Sequence, residues 1–298
     1  MIKRETGEEI VEKHISAFNT RQTMRSRDFE IFHYCDCYLD DINLHHHDFY
    51  EVYFFIDGEV NYQIENKSYP LVPGDLLVIE PNELHQPVIT APSKPYERIV
   101  MWIDRHYLKE LSHYSGLNLG ACFDRGQPGH GNLIRLSPEE REPLMALVSI
   151  LLREQEAAQY GGEAMRRNGA CQLLIMINRL TMASRSDVAT AGENDPLIDR
   201  VFSYINKHIQ EDLSLERLED IFFFDSGTLT RRFKKQIGTT ISQYIRQKRL
   251  TIARNLLSEG CQPIEIYARC GFADYSGFFR AFKLQYGMSP KDFIQAKI

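Results

Sequence analysis

Three histidines and a glutamate in the first third of the chain have the types and spacing of a binding site. His45, His47 and Glu51 have the same parity, so on one strand their side chains would share a face. His85 follows on a later predicted strand and could complete the set. Imidazoles with a carboxylate suit a divalent transition metal. The same groups can also contact an organic ligand, or only make structural hydrogen bonds, and all three interpretations stay open at this point.

A second set of residues forms a repeat near the end of the chain. Leu229–Ile245 and Phe278–Ile294 are identical at six of seventeen positions, and each reads as a short basic helix that ends at a glycine. On the first helix Thr230, Arg231 and Lys234 can face outward, and on the second Arg280 can do so. Arginine can bond a guanine edge in two places, and lysine can hold a phosphate. The repeat therefore predicts contact with two neighbouring stretches of a DNA groove.

The charge distribution agrees with a polyanion partner for one half only. The whole chain has a net charge of -6, but residues 196–298 carry 16 Lys and Arg against 11 Asp and Glu.

The six cysteines form no CxxC pair, which predicts reduced thiols in the cytoplasm. No apolar stretch approaches the roughly 20 residues of a membrane helix. The first residues, rich in charge, do not resemble a secretory signal. We expect a cytoplasmic, soluble protein that does not enter a membrane.

The elements that must position these residues divide into two domains of an α+β protein. Residues 1–28 read as a polar arm, and residues 29–103 alternate strand-forming runs with turn signals, as in a β-barrel or sandwich. Residues 104–184 predict a helical hairpin, which would pack on the barrel or form a dimer interface. Residues 185–195 read as a linker. From residue 196 to residue 298 the pattern is helical throughout.

The helical half predicts two pairs of helices separated by one long helix. In each pair the second helix carries the repeated motif, with Leu229 and Phe233 in one core and Phe278 and Phe282 in the other. The turn of the first pair reads Phe222–Phe224, and three consecutive phenylalanines cannot all be buried on one helix face.

Residues 196–296 resemble the DNA-binding domain of the AraC/XylS family of bacterial transcription regulators. The resemblance rests on short motifs: Asp212-Leu213-Ser214-Leu215-Glu216, Arg232-Phe233-Lys234-Lys235, Gly271-Phe272-Ala273-Asp274, Arg280-Ala281-Phe282-Lys283 and Gly287-Met288-Ser289-Pro290. It implies two helix-turn-helix units whose recognition helices enter successive segments of the major groove, about 34 Å apart. The implied base-reading positions are Gly227, Thr230, Arg231, Tyr275, Ser276, Phe279 and Arg280.

Two positions depart from the family pattern in the first unit. Gly227 has no side chain to read a base, so the first recognition helix is expected to discriminate less than the second. Glu219 stands where the family has a small residue between the two helices, and bulk there would change the angle of the pair.

Residues 29–103 resemble the cupin double-stranded β-helix, in the form found as a sensor fused to AraC-type domains. The resemblance implies that His45, His47, Glu51 and His85 contact an organic effector, commonly a sugar, and Trp102 could stack on a sugar face. The same four residues match the metal ligands of catalytic cupins, so a divalent metal in the barrel stays open. The alternative function is then a metal-dependent enzyme, a dioxygenase or isomerase, fused to a DNA-binding module.

For the whole chain the resemblance implies a transcription regulator that binds double-stranded DNA and responds to a small molecule. It further implies an activator that works as a homodimer and contacts RNA polymerase. The sequence itself names neither the effector nor the operator.

Overall fold

The computed structural model divides the chain into two compact units, residues 1–192 and 193–298, which are described separately. The structure describes these residues: 15–16, 18, 21, 23–39, 42, 44–124, 131–156, 159–183, 195–258 and 260–296. Most of the predicted N-terminal arm and almost all of the predicted linker lie outside the described residues. Of the helices in the described ranges, none is both long enough and apolar enough to cross a membrane.

The first unit contains eight described strands, with one helix between the seventh and the eighth strand and two helices after the eighth. The strands are β1 Phe29–Asp36, β2 Tyr50–Asp57, β3 Val60–Ile64, β4 Lys67–Pro70, β5 Asp75–Ile79, β6 His85–Ile89, β7 Tyr96–Ile103 and β8 Leu133–Arg135. The helices are α1 Arg105–Ser115, α2 Pro138–Glu156 and α3 Gly162–Ala183, with a short 3-10 turn at Ala121–Phe123. Strand β8 comes from the part of the sequence that we expected to be helical, and it pairs with β5.

The strands form two antiparallel sheets. The larger has the order β1-β7-β2-β5-β8 and the smaller has the order β4-β3-β6. Alternate residues of the larger sheet point to opposite sides, and both sides are buried. This explains why strands such as β5, with five buried residues in a row, lack the polar alternation of a half-exposed sheet.

The two faces of the larger sheet have different chemistry. The face toward the helices is aliphatic, with Val52, Leu76, Val78, Ile99 and Met101 in one cluster with α2 and α3. The opposite face lines the interior between the two sheets. Together with residues of the smaller sheet, it forms a cluster rich in aromatic rings: Tyr34, Phe49, Tyr53, Phe55, Tyr62, Tyr69, Tyr96 and Trp102. The aromatic face is the one that carries the candidate site.

Helices α2 and α3 form the hairpin that the sequence predicts between residues 104 and 184. Ser137 and Glu140 form a reciprocal cap, because each side chain accepts a hydrogen bond from the backbone N–H of the other. The predicted apolar stripe of α2, including Leu144 and Leu151, is buried against the chain's own sheet. That packing fixes the position of the sheet from its aliphatic side.

The second unit is helical, as predicted. Its helices are α4 Pro196–Lys207, α5 Leu215–Phe222, α6 Ser226–Ile237, α7 Ile241–Ser258, α8 Pro263–Arg269, α9 Tyr275–Tyr286 and α10 Pro290–Ala296. Helices α5 and α6 form the first helix-turn-helix pair, and α8 and α9 form the second. The long helix α7 contacts both pairs. The predicted core residues Leu229, Phe233, Phe278 and Phe282 are all fully buried.

The turn between α5 and α6 separates three consecutive phenylalanines, as the sequence requires. Phe222 is buried, Phe224 is partly exposed, and Phe223 is 90% exposed. Phe223 also has a φ of 58° and ends α5 in the left-handed conformation. A side chain with a β-carbon is strained there, whereas glycine is not. Phe223 therefore contributes strain to this unit and little packing.

We expect Phe223→Gly to stabilise the protein by about 1 kcal/mol, because it relieves the left-handed strain and loses almost no buried surface. Phe223→Ala removes the same ring but keeps the β-carbon, so it should change stability by much less. Urea denaturation of the full-length protein, followed by circular dichroism, measures both. Equal stabilities for the two variants would contradict the strain.

Candidate effector site and nucleic-acid interface

The residues of the predicted site come from four different places in the first unit. Glu51 is on β2 and Trp102 is on β7, and the register of these strands pairs them directly. His85 begins β6 in the opposite sheet. His47 precedes β2, which starts at Tyr50. All four are at least nine-tenths buried.

Glu51 is the residue on which the other groups converge. The indole N–H of Trp102 donates a hydrogen bond to Oε2 at 2.9 Å, and the Tyr62 hydroxyl donates to Oε1 at 3.5 Å. His47 Nε2 lies 3.2 Å from Oε2. Because Glu51 is only 5% exposed, these contacts replace the water that a carboxylate would otherwise need.

His47 and His85 are oriented in the same way. His47 Nδ1 lies 2.9 Å from the carbonyl oxygen of Phe49, and His85 Nδ1 lies 2.8 Å from that of Glu83. A carbonyl can only accept, so Nδ1 carries the proton in both rings and Nε2 is left for another partner. Metal-ligating histidines in proteins are commonly held in this way.

The donor atoms of His47, Glu51 and His85 lie within 4.8 Å of one another, and all three residues are buried. Two neutral imidazoles and one carboxylate can hold a divalent transition metal. With a second proton on His47, the same geometry gives an ion pair between His47 and Glu51 that needs no metal. The three residues therefore fit a metal ion, and they equally fit an organic ligand with hydroxyl groups.

His45 differs from the expectation that it shares one strand face with His47 and Glu51. Its backbone pairs instead with His85 through two hydrogen bonds of 3.1 and 2.9 Å, in an isolated antiparallel bridge. It thus extends the smaller sheet rather than β2. Its ring centroid is 4.4 Å from that of His85, but its donor atoms are outside the group of three.

The protonation states of the interior favour hydrogen bonding to a ligand with hydroxyl groups. Burial, together with the neighbouring His45 and His47, lowers the pKa of His85 well below its usual range. Its ring is therefore neutral, and no described residue is a hydrogen-bond partner of its buried Nε2. Burial and the charge of Glu51 raise the pKa of Tyr62 well above 10. The interior therefore offers His85 Nε2 as a hydrogen-bond acceptor and the protonated phenol of Tyr62 as a hydrogen-bond donor.

The structure adds one interior residue that sequence reasoning missed. Arg98 lies on β7 with the same parity as Trp102 and is 2% exposed. The available signal was its strand parity, since Arg98 has the same parity as Trp102, whereas the neighbouring Glu97 has the opposite parity.

Lowering the pH from about 7 to about 5 should destabilise the protein in part through His85. Its folded pKa is below that of the unfolded chain, so the unfolded state binds more protons as the pH falls through 6.5. One such group contributes at most about 1.4 kcal/mol per pH unit. His85→Gln should therefore give a shallower pH dependence of the unfolding free energy, measured in EDTA. Identical slopes for the variant and the wild type would contradict the neutral buried ring.

In the second unit, α6 presents the first set of predicted DNA contacts. Asp225 caps the helix by accepting from Thr228 N–H at 2.8 Å. Arg231 and Lys234 are exposed, and Thr230 is partly exposed. Arg231 bonds back to its own helix, through the Gly227 carbonyl and the Thr228 hydroxyl. All three predicted contact residues thus lie on the accessible side of the helix.

Helix α9 presents the second set. Asp274 caps it by accepting from Gly277 N–H at 2.7 Å. Ser276 and Arg280 are exposed, and Tyr275 and Phe279 are partly exposed, with ring centroids 6.2 Å apart. The four predicted positions therefore form one surface near the N-terminal half of the helix, the part of a recognition helix that contacts base edges.

The two recognition helices differ in how they are anchored. Asp195 forms two hydrogen bonds of 2.6 Å with Arg232 on α6, and Gln236 on the same helix bonds Asp195 and Asp199. The carboxylate of Glu219, where we expected a small residue, accepts from the backbone N–H of Ser226. In α9, alanine occupies the position that corresponds to Arg232.

A β domain with a buried polar interior, joined to two helix-turn-helix units, defines a DNA-binding transcription regulator with a ligand-binding domain. Models of two domain families match the chain. The AraC-like ligand binding domain matches residues 31–167, and a helix-turn-helix domain matches residues 219–296. The chain belongs to the AraC family of transcriptional regulators.

Similar proteins extend along most of the chain. The HTH-type transcriptional activator RhaS of Enterobacter sp. (strain 638) is 25% identical over 260 residues, which cover 85% of this chain and 87% of that protein. RhaS of Salmonella arizonae is 24% identical over 261 residues, with the same coverage. Among solved structures, ToxT from Vibrio cholerae O395 is 12% identical, covers 91% of this chain and 98% of its own, and has a TM-score of 0.37. The two RhaS proteins are named transcriptional activators, and the two matched domain families together make this chain a transcription regulator with a ligand-binding domain.

Proposed function

We propose that the protein activates transcription in response to a sugar that binds between the two sheets of the first unit. The observation that carries this proposal is the convergence of His47, Glu51, His85 and Trp102 in one buried site. In a chain whose other unit binds DNA, a buried polar site of this kind is best explained as the place where a signal molecule binds.

The chemistry of the site supports a neutral ligand with several hydroxyl groups. A hydroxyl can donate to the bare Nε2 of His85 and accept from a phenol such as that of Tyr62. The aromatic rings of the interior can cover the apolar face of a sugar ring, and Trp102 offers the largest such surface.

The remaining parts of the proposal concern the partners. The name of the RhaS relatives, transcriptional activators, supports activation. We further propose that the protein binds DNA as a homodimer at two half-sites and contacts RNA polymerase. Each recognition helix would then read one segment of the major groove, with α9 as the more specific of the two because Gly227 on α6 has no side chain.

A thermal-shift screen of the full-length protein distinguishes a sugar from a metal. Metal is first removed with EDTA, and neutral pentoses, hexoses and 6-deoxyhexoses are then tested beside Zn²⁺, Mn²⁺ and Ni²⁺. We expect a neutral sugar to raise Tm in EDTA. Stabilisation by a metal alone, with no sugar effective before or after metal addition, would contradict the proposal.

Glu51→Gln should weaken binding of that sugar by about tenfold or more, because the variant can no longer hold His47 and Trp102 through a charged acceptor. Asp75→Asn is the matched control, since Asp75 is also buried, but its carboxylate accepts from Val72 N–H at the turn before β5 and pairs with Arg135 on β8. Isothermal titration calorimetry compares the two. Equal losses would indicate a general effect on folding instead of a local one.

Arg280→Ala should reduce discrimination between the operator and random DNA by about 1–3 kcal/mol, because an exposed arginine on α9 is placed to read a base. Arg200→Ala is the control, as Arg200 is an exposed arginine on α4 of the same unit. Fluorescence anisotropy with both DNAs at several salt concentrations measures the effect. Specificity that stays unchanged in Arg280→Ala would argue against α9 as a base-reading helix.

A further inference from the structure

Arg98 is a buried cation inside the first unit whose hydrogen bonds are incomplete. It is 2% exposed, and its Nη1 donates to Asp36 at 2.5 Å and to the carbonyl of Tyr96 at 2.9 Å. Its Nη2 is also buried, and no described residue accepts a hydrogen bond from it. Leaving such a donor without an acceptor is costly, so the position calls for a further partner.

The guanidinium of Arg98 is held by aromatic rings as well as by Asp36. Its central carbon lies 4.2 Å from the ring centroid of Tyr96, 4.9 Å from that of Tyr34 and 5.1 Å from that of Phe18. These contacts and the two Nη1 bonds fix the plane of the group. Nη2 is therefore presented in one direction and is not free to find an acceptor by rotation.

A continuous series of interior side chains connects Arg98 with His85. The hydroxyls of Tyr96 and Tyr53 are 2.6 Å apart, the rings of Tyr53 and Tyr62 are 4.8 Å apart, and the rings of Tyr62 and His85 are 6.3 Å apart. Arg98 and His85, each with one buried nitrogen that no described residue bonds, are thus linked through side chains of the same interior.

The charges around Arg98 favour an uncharged partner. Asp36 already neutralises the guanidinium, and Glu51 adds a second carboxylate within the same interior. Burial raises the pKa of Tyr62 and Tyr96 most, and of the two nearby charges Glu51 raises it further while Arg98 lowers it, so both charges lie near the same pair of phenols. A ligand carboxylate would be a third negative charge there, whereas a hydroxyl, ring or carbonyl oxygen adds none.

Building on the proposed function, we propose that Arg98 is the second anchor of the effector and donates from Nη2 to an uncharged oxygen. The effector is therefore a neutral polyhydroxylated ring, and the uronic acid of the same configuration is rejected.

The test is calorimetric titration of the full-length protein with matched pairs of probes. Neutral pentoses, hexoses and 6-deoxyhexoses are screened first, and each binder is then compared with a uronate of the same ring configuration. We expect the uronate to bind at least tenfold more weakly.

Two variants are then tested with the neutral sugar that binds. Arg98→Lys keeps the charge near Asp36 but loses the fixed Nη2 donor, and Arg98→Gln removes the charge as well. Both should bind at least tenfold more weakly.

Arg166→Lys is the matched control. Arg166 also pairs with an aspartate, Asp28, at 2.5 Å, and its guanidinium lies 4.8 Å from the ring of Phe29. It projects from α3, on the aliphatic side of the sheet, so its substitution should leave sugar binding unchanged. Circular dichroism shows whether each variant is folded. If Arg98→Gln does not fold, Arg98→Lys alone tests whether Arg98 binds the sugar.

The outcomes separate the two proposals. Neutral-sugar binding that Arg98→Lys leaves unchanged, or a uronate that binds as well as its neutral partner, overturns the role of Arg98 alone. A wild-type protein that binds none of the neutral sugars overturns the proposed function and this inference with it.

Discussion

The first unit depends on the burial of both faces of its five-stranded sheet. One face must be aliphatic to pack on α2 and α3, and the other must face the smaller sheet. Side chains alternate along a strand, so each strand has one set of alternate residues facing the helices and another set facing the interior. On β2, Val52 packs toward the helices while Glu51 and Tyr53 point inward. The helices therefore pack on the sheet from its aliphatic side, and the positions on the other side remain available for polar groups of the interior.

The second unit shows how a duplicated motif acquires different properties. Both recognition helices begin at an aspartate cap. The first buries Leu229 and Phe233 and the second buries Phe278 and Phe282, so their folds are alike. Their surroundings differ, because Arg232 fixes α6 to the start of α4 while α9 has Ala281 at that position. The first helix has an ion pair to the start of α4 that the second lacks at the matching position, while Arg231 and Arg280 are exposed on both helices.

Local sequence signals predicted the helices of the second unit and their core residues correctly. Asp225 and Asp274 each cap a helix by accepting a hydrogen bond from the backbone N–H three residues later. Phe233 is buried because its helix has one apolar side. Long-range pairing was not predictable in this way. His45 joins the smaller sheet by bridging to His85, a contact between residues forty positions apart that parity within one strand cannot reveal. Arg98 was missed for a related reason, because a single charge in a strand does not show whether its side is buried.

The ion pair between Asp195 and Arg232 links the start of α4 to α6. Asp195 is the residue at which the described part of the second unit begins, and its carboxylate grips α6 with two short hydrogen bonds. The same carboxylate also caps α4 by accepting a hydrogen bond from the backbone N–H of Leu197. One side chain therefore fixes α4 and α6 to each other, and a substitution at this position would loosen both helices at once.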